Sequence, residues 1–331
     1  MKSSFIRFIT LSLTLFLGSN GVSAQDVYKI TVAQDGTGDY NSVQLAIDAC
    51  KSFPDQRVTI FVKNGIYHEK IVVPACNTRL SIIGESAEKT IISYNDFFNK
   101  MKRGRNSTFY TYTFLVDADD FYAENLTIEN SAGPVGQAVA LHVNGDRCVF
   151  RNCRILGNQD TLYTGGLNSR QFFDGCYIEG TTDFIFGAAT VLFNNCRICS
   201  KSNSFITAAS TPEGKKFGYV FLNCQLITTE NAQKVYLGRP WRDFASVVFI
   251  SCDLGAHIQP AGWSNWPGTT RDKTAYFAEY GNSGPGADIS QRAVWSHQLS
   301  AEEVQKYTTE NILSPVTPYE KPVDQWITGK N

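Results

Sequence analysis

Phe150-Arg151-Asn152-Cys153-Arg154-Ile155, followed by Gly157-Asn158-Gln159-Asp160-Thr161-Leu162-Tyr163, returns 23 residues on as Phe173-Asp174-Gly175-Cys176-Tyr177-Ile178, followed by Asp183-Phe184-Ile185-Phe186-Gly187. The pattern Phe-x-x-Cys-x-Ile/Leu occurs three more times, at Phe193/Cys196/Ile198, Phe221/Cys224/Leu226 and Phe249/Cys252/Leu254, so that successive cysteines lie 23, 20, 28 and 28 residues apart. Recurrence at a period of roughly 20–50 residues marks a solenoid. Each repeat holds short Val/Ile/Phe/Tyr-rich runs broken by Asn, Gly, Asp and Ser, and none holds a helix-length amphipathic segment. The expected fold is therefore all-β: parallel strands, one coil stacked on the next about 4.8 Å away.

Asp160 stands seven residues after Cys153, and Asp183 seven after Cys176. Equal offsets predict that the two carboxylates are stacked neighbours, one coil apart. Two carboxylates that close do not ionise together, so one pKa rises while the other stays low. The result is a proton donor beside a nucleophile, assembled without histidine. A single aspartate in such a turn would more simply bond the local backbone; the registered pair favours chemistry.

Residues 1–24 read as a secretory signal peptide: Lys2 and Arg7, an apolar run over 8–17, and the small-residue pattern Val22-Ser23-Ala24. One elongated domain over 25–331 is expected to follow, because no Pro/Gly/Ser-rich linker interrupts the repeat. Export permits disulfides, and with nine cysteines at least one thiol has no intramolecular partner. The five repeat cysteines are expected as a buried ladder whose neighbours lie near disulfide distance. Thirty basic against 31 acidic residues leave a formal charge of −1, which gives no reason to expect nucleic acid, and no other apolar run is long enough to cross a membrane.

Elsewhere, Asp35-Gly36-Thr37-Gly38-Asp39-Tyr40 leads into 42–51, whose Val43, Leu45, Ala46 and Ala49 predict one face of a short helix capping the open solenoid end. Segments 58–63 and 80–84 are expected as the first strands. Between them, His68 and Glu69 read as a turn with solvated charge. The basic segment 97–105, carrying Lys100, Lys102, Arg103 and Arg105, reads as a solvated surface loop. Gln137 lies eleven residues past Leu126, which takes the cysteine position of an earlier coil, and Arg239 lies fifteen past Cys224. Neither matches the sevenfold offset, so spacing does not place them. Trp241, Trp263 and Trp266 offer flat apolar faces for sugar rings beside a turn rich in Gly and Pro. Ser300-Ala301-Glu302-Glu303 is a capping box opening a short terminal helix, and the tail with Pro315, Pro318 and Pro322 is expected to pack back along the coils.

Taken in order, Gly65-x-Tyr67-x-Glu69, Gln137-Ala-Val-Ala-Leu141, Gly157 to Tyr163, Asp183 to Gly187, Leu237-Gly-Arg239-Pro-Trp241 and Gly262-Trp263-Ser264-x-Trp266 resemble the pectin methylesterases. That resemblance implies a single-stranded right-handed parallel β-helix and hydrolysis of methyl esters of galacturonate in pectin. It implies Asp183 as nucleophile, Asp160 as proton donor and then base, Gln137 and Gln159 as oxyanion donors, and Arg239 as the residue orienting Asp183. Thr108 and Trp241 would contact substrate, and a disulfide would join Cys176 to Cys196. The basic segment 97–105 is not part of the shared pattern. The expected protein is a secreted or periplasmic monomer whose partner is methyl-esterified pectin. It would use no metal or other cofactor: four scattered histidines offer no ligand cluster. No Gly-x-Ser-x-Gly elbow suggests a serine esterase. Rival readings are a depolymerase on the same kind of solenoid, since fold does not decide function, and a non-catalytic pectin-binding descendant of an esterase.

Overall fold

The computed structural model describes residues 28–315, 317 and 321–329. The leader assigned to 1–24, and Pro318 in the tail, lie outside the described residues. From Lys29 onward the chain winds as a right-handed parallel β-helix whose coils lay strands in turn into three sheets. Sheet A has eleven strands, sheet B eight and sheet C seven. One coil runs Cys148–Arg151, Arg154–Leu156, Leu162–Thr164; the next runs Arg170–Asp174, Tyr177–Gly180, Ile185–Gly187. The first strand is Lys29–Val32, one earlier than the sequence reading placed it, paired with Val58–Val62.

The repeat is a register. Phe150, Phe173, Phe193, Phe221 and Phe249 are consecutive partners in sheet A. Their rings stack inside the coil at centroid separations of 4.7, 5.2, 4.4 and 4.2 Å. Aromatic pairs in isolation favour edge-on or offset contact; here the strand spacing of about 4.8 Å sets the ring spacing. Ile155, Ile178, Ile198, Leu226 and Leu254 form the matching ladder in sheet B.

Between the two ladders the chain turns a sharp corner. The residue before each cysteine takes a left-handed conformation, at Asn152 (φ 45°), Gly175 (61°), Asn195 (52°), Asn223 (54°) and Ser251 (53°). Asn and Gly tolerate that region where most side chains do not, which is why Asn-Cys occurs three times and Gly-Cys once among the five. Cysteine, small and buried, fills the inside of the corner. Cys176 and Cys196, for which the resemblance implies a disulfide, stand side by side on adjacent coils of the ladder as free thiols. The ladder gives each sulfur another partner, since Cys176 Sγ donates to the Phe150 carbonyl (3.3 Å) and Cys196 Sγ to that of Phe173 (3.4 Å), one coil back.

The N-terminal end is closed by helix Val43–Asp48, as expected, with Ser42 as its cap. Its buried face is Val43, Ala46 and Ile47, whereas Leu45 and Ala49 point outward. Glu69 is not a solvated charge. Its carboxylate accepts from Ser42 Oγ (2.7 Å) and from the Val43 and Gln44 amides (3.0 and 2.9 Å), capping the helix from the following coil. At the other end, Ser300 and Glu303 exchange the expected reciprocal bonds, though only a 3₁₀ turn follows, Glu303–Lys306. Beyond it, Ile312, Leu313, Val323 and Trp326 cover the apolar outer face of sheet A, formed by residues such as Val149, Phe172 and Leu192. Among the described residues no helix is long and apolar enough to cross a membrane. Among the described residues no such segment covers sheet C: on its outside Val139, Phe186 and Ala208 pack with Phe109, Tyr163, Trp241 and Trp266.

Candidate active site

Asp160 and Asp183 each stand two residues before a strand of sheet C, and those strands pair in register, Leu162 with Ile185. Both aspartates are left-handed (φ 63° and 49°). They are anchored through their amides, Asp160 to the Thr182 carbonyl (3.1 Å) and Asp183 to that of Phe205 (2.9 Å). The stacking predicted from the sevenfold offset is thus present. Both side chains enter one cleft of about 300 Å³ on the outside of sheet C, yet the residues are only 9% and 7% exposed.

Gln137 and Gln159 line the same cleft and are bridged in parallel, with the Ala138 amide donating to the Gln159 carbonyl (3.1 Å). Gln137 is four residues before Leu141, Gln159 three before Leu162, although Leu141 and Leu162 are partners. The extra residue is absorbed as a bulge: the Ala140 and Leu141 amides both donate to the Thr161 carbonyl (2.8 and 3.2 Å). The bulge lies after Gln137; the spacing of eleven residues from Leu126 to Gln137, against six from Cys153 to Gln159, comes instead from the longer loop between Asn130 and Gln137.

Arg239 follows the sheet C strand Tyr236–Gly238. Its Nε donates to Asp183 Oδ1 (2.9 Å) and its terminal nitrogen to Oδ2 (2.6 Å). The guanidinium sits 4.1 Å from the ring centroids of both Phe205 and Trp266, which holds the fork in one plane. Thr108, buried in the 3₁₀ segment Gly104–Tyr110, lines the cleft, as does Trp241, whose ring lies edge-on to Phe186 at 5.8 Å.

Electrostatics separate the two acids. Burial, and then the charge of Asp183, push Asp160 well above the usual carboxylate range against the opposing pull of Arg239. Burial also raises Asp183, but less far, because the hydrogen bonds and charge of Arg239 oppose it. The first proton therefore goes to Asp160, leaving Asp183 ionised in its arginine fork. A neutral acid, an ionised carboxylate and two amide side chains face one space, an arrangement suited to acyl transfer.

Two expectations change. Trp263 is core rather than cleft: it is 2% exposed, lies between Phe249 and Phe277, and donates to Glu279 (3.1 Å). The segment 97–105 is not simply a solvated loop. Lys100 pairs with Asp96 (2.8 Å), Arg103 stacks on Tyr110 (4.1 Å), and Arg105 lines the cleft. The sequence reading also assigned no site role to Phe109, Phe186 or Ala208, which line it too. Period-two alternation could have found Phe186, since Ile185 beside it faces the core.

The Pectinesterase family model matches residues 29–315. Pectinesterase 31 of Arabidopsis thaliana is 40% identical over 294 residues, covering 86% of this chain and 92% of the relative. The chain spans about half the length of other curated relatives, such as 53% of Arabidopsis Pectinesterase 4. Among solved structures, pectin methylesterase from carrot superposes with a TM-score of 0.83 at 32% identity, covering 91% of this chain and 95% of that one. A pectin methylesterase in complex with a hexasaccharide superposes at 0.76 with 28% identity, covering 88% and 98%.

Proposed function

The chain belongs to the pectinesterase family, and from that premise we propose that its cleft demethylesterifies pectin with Asp183 as nucleophile and Asp160 as acid, then base. The observation that carries this reading is the unequal aspartate pair: Asp160 driven neutral by burial and by its neighbour, Asp183 forked by Arg239.

An Asp183 oxygen attacks the ester carbonyl carbon of a methylated galacturonate. Charge develops on the carbonyl oxygen, where the Gln137 and Gln159 amides donate to it, each preorganised donor being worth about 3 kcal/mol. Asp160 gives its proton to the methoxy oxygen as the carbon–oxygen bond breaks, and methanol leaves. Now a carboxylate, Asp160 takes a proton from water, whose oxygen attacks the acyl carbon. Asp183 departs ionised and Asp160 is again neutral. Arg239 keeps Asp183 in the attacking plane, and Trp241, Trp266 and Thr108 form the walls against which the sugar rests. We further read the chain as exported, on the strength of the leader pattern, and as acting alone on its polymer.

One incubation with highly methylated pectin tests the reading, following methanol, released acid, unsaturated ends and viscosity together. Methanol and acid rising in step at constant viscosity is the expected result. Unsaturated ends or collapsing viscosity without methanol would replace it with a depolymerase, and binding without release of methanol with a non-catalytic lectin-like role.

A further inference from the structure

Around the corner from the cleft, where the chain turns from sheet C toward sheet A, lies a second hollow of about 330 Å³ that the proposed reaction does not use. Its walls come from three places. Lys215, Lys216 and Phe217 belong to the loop after strand Phe205–Ala209, Phe244 to the loop after Tyr236–Gly238, and Lys306 and Tyr307 to the C-terminal segment, with Tyr276 on the rim.

The lining is chemically one-sided. Among the described residues that line it are three lysines and no acidic residue. Lys216 lies over the Phe217 ring at 5.1 Å, and Lys215 is steadied by Asn168 (2.8 Å). Glu303, one turn before Lys306, has its carboxylate bonded to the Ser300 amide (2.8 Å). Phe217 is the buried floor, braced edge-on by Tyr307 at 5.3 Å, while Phe244 and Tyr276 stand 38% and 37% exposed at the rim. Flat rings beside ammonium groups suit a sugar chain that carries carboxylates. A methyl ester, being neutral, would offer the ammonium groups of Lys216 and Lys306 no opposite charge.

The hollow is also within reach of the cleft. Trp241 in the cleft wall and Phe244 in the hollow are three residues apart, at most about 10 Å of chain. The two loops run side by side, joined by the Trp241 amide to the Ala209 carbonyl (2.9 Å) and the Ser246 amide to Thr211 (3.0 Å). Between the sites Arg242 is exposed and stacked on Trp241 at 4.7 Å, carrying positive charge across the corner.

We propose that this hollow is a second binding site, for the de-esterified, carboxylate-bearing stretch of the polymer. It rests on the esterase reading: each turnover creates one carboxylate, so the affinity of this site for the chain grows as the cleft works, and the enzyme is held where it has already acted.

The test compares wild type with Lys216→Glu/Lys306→Glu, measuring binding of unesterified polygalacturonate and, separately, kcat and KM for methanol release from a short, fully methylated oligogalacturonide. The double variant should bind polygalacturonate about tenfold more weakly and with a flatter salt dependence, while its kinetics on the short neutral substrate stay at the wild-type values. Unchanged affinity overturns the proposal. Equal wild-type affinity for polyglutamate, a polyanion without sugar rings, overturns it as a saccharide site. Should charge reversal prevent folding, Lys216→Gln/Lys306→Gln carries the same comparison. Failure of the esterase reading is distinguishable, because wild type would then release no methanol from the short substrate whatever the polygalacturonate binding.

Discussion

Replacing Arg239 with Gln should cost most of the activity by changing the protonation of a residue it merely holds. Asp183 receives two charge-assisted hydrogen bonds from the guanidinium, at 2.9 and 2.6 Å, in a site where its side chain is only 10% exposed. Bonds of this kind are worth about 1.5–3 kcal/mol each. Removing one partner of a buried ion pair costs about 3–5 kcal/mol. Glutamine leaves burial unopposed, so Asp183 takes up a proton at higher pH than in the wild type and is then no nucleophile. At about 1.4 kcal/mol per tenfold, kcat for methanol release near neutrality should fall about 10²–10³-fold. The assay is kcat against pH. Its acid limb should move upward in Arg239→Gln toward the alkaline limb, narrowing the active window. Arg239→Lys keeps the charge but loses the fork and the sandwich between Phe205 and Trp266, each 4.1 Å away; it should lie between the two. An Arg239→Gln enzyme that melts like wild type, keeps kcat within about threefold and leaves the acid limb in place would refute the reasoning.

The alkaline limb belongs to Asp160. Because burial raises its folded pKa above the unfolded value, its stabilising contribution is present at low pH and lost as pH rises through the folded pKa; Asp160→Asn should remove that loss from melting curves while lowering kcat about 10²–10⁴-fold. Arg105, exposed on the cleft wall, should favour substrate with a carboxylate beside the reacting ester. Arg105→Gln is expected to raise KM about threefold on partly de-esterified pectin at low salt and to leave fully methylated pectin unaffected. Glu69→Ala withdraws the cap from helix Val43–Asp48 and should lower unfolding free energy by about 1–2 kcal/mol in denaturant titrations, with kcat unchanged.

What could be read from sequence was what the solenoid repeats. Phe150 to Phe249 and Cys153 to Cys252 were legible because parallel pairing carries one residue type to the same place in every coil. The aspartate pair was legible for the same reason. Where a coil departs from its neighbours, legibility ended. Gln137 was displaced by the longer loop between Asn130 and Gln137, and Arg239 lies beyond the longer turn between Thr228 and Tyr236. Arg105 reaches the cleft because its segment is pinned by tertiary contacts without sequence periodicity, the Phe98 amide to the Gln137 carbonyl (2.9 Å) and the Arg103 amide to buried Ser107 (2.9 Å). Trp263 and Trp266, three residues apart, meet opposite fates because only one of them points between Phe249 and Phe277.

The aspartates occupy the positions at which a solenoid of this kind turns. At the corner between sheets A and B the left-handed residue is Asn152, Asn195 or Asn223 in three of the five repeats, with Gly175 and Ser251 in the others; at the corner before sheet C it is Asp160 and then Asp183, with φ of 63° and 49°. Asn and Asp share a tolerance for this conformation that alanine lacks, a difference of about 1–2 kcal/mol per residue. Stacking on adjacent coils then couples the two carboxylates, in a cleft whose walls include Phe186 and Trp241. The same geometry separates structure from chemistry in an experiment. Asp183→Asn keeps a residue suited to the corner but withdraws the carboxylate from Arg239, so it should fold, melt earlier than wild type and lose turnover, whereas Asp183→Ala should lose turnover and melt earlier still, by about a further 1–2 kcal/mol. Near-normal methanol release from Asp183→Asn would mean that the carboxylate serves only the turn, and the covalent mechanism would have to be abandoned.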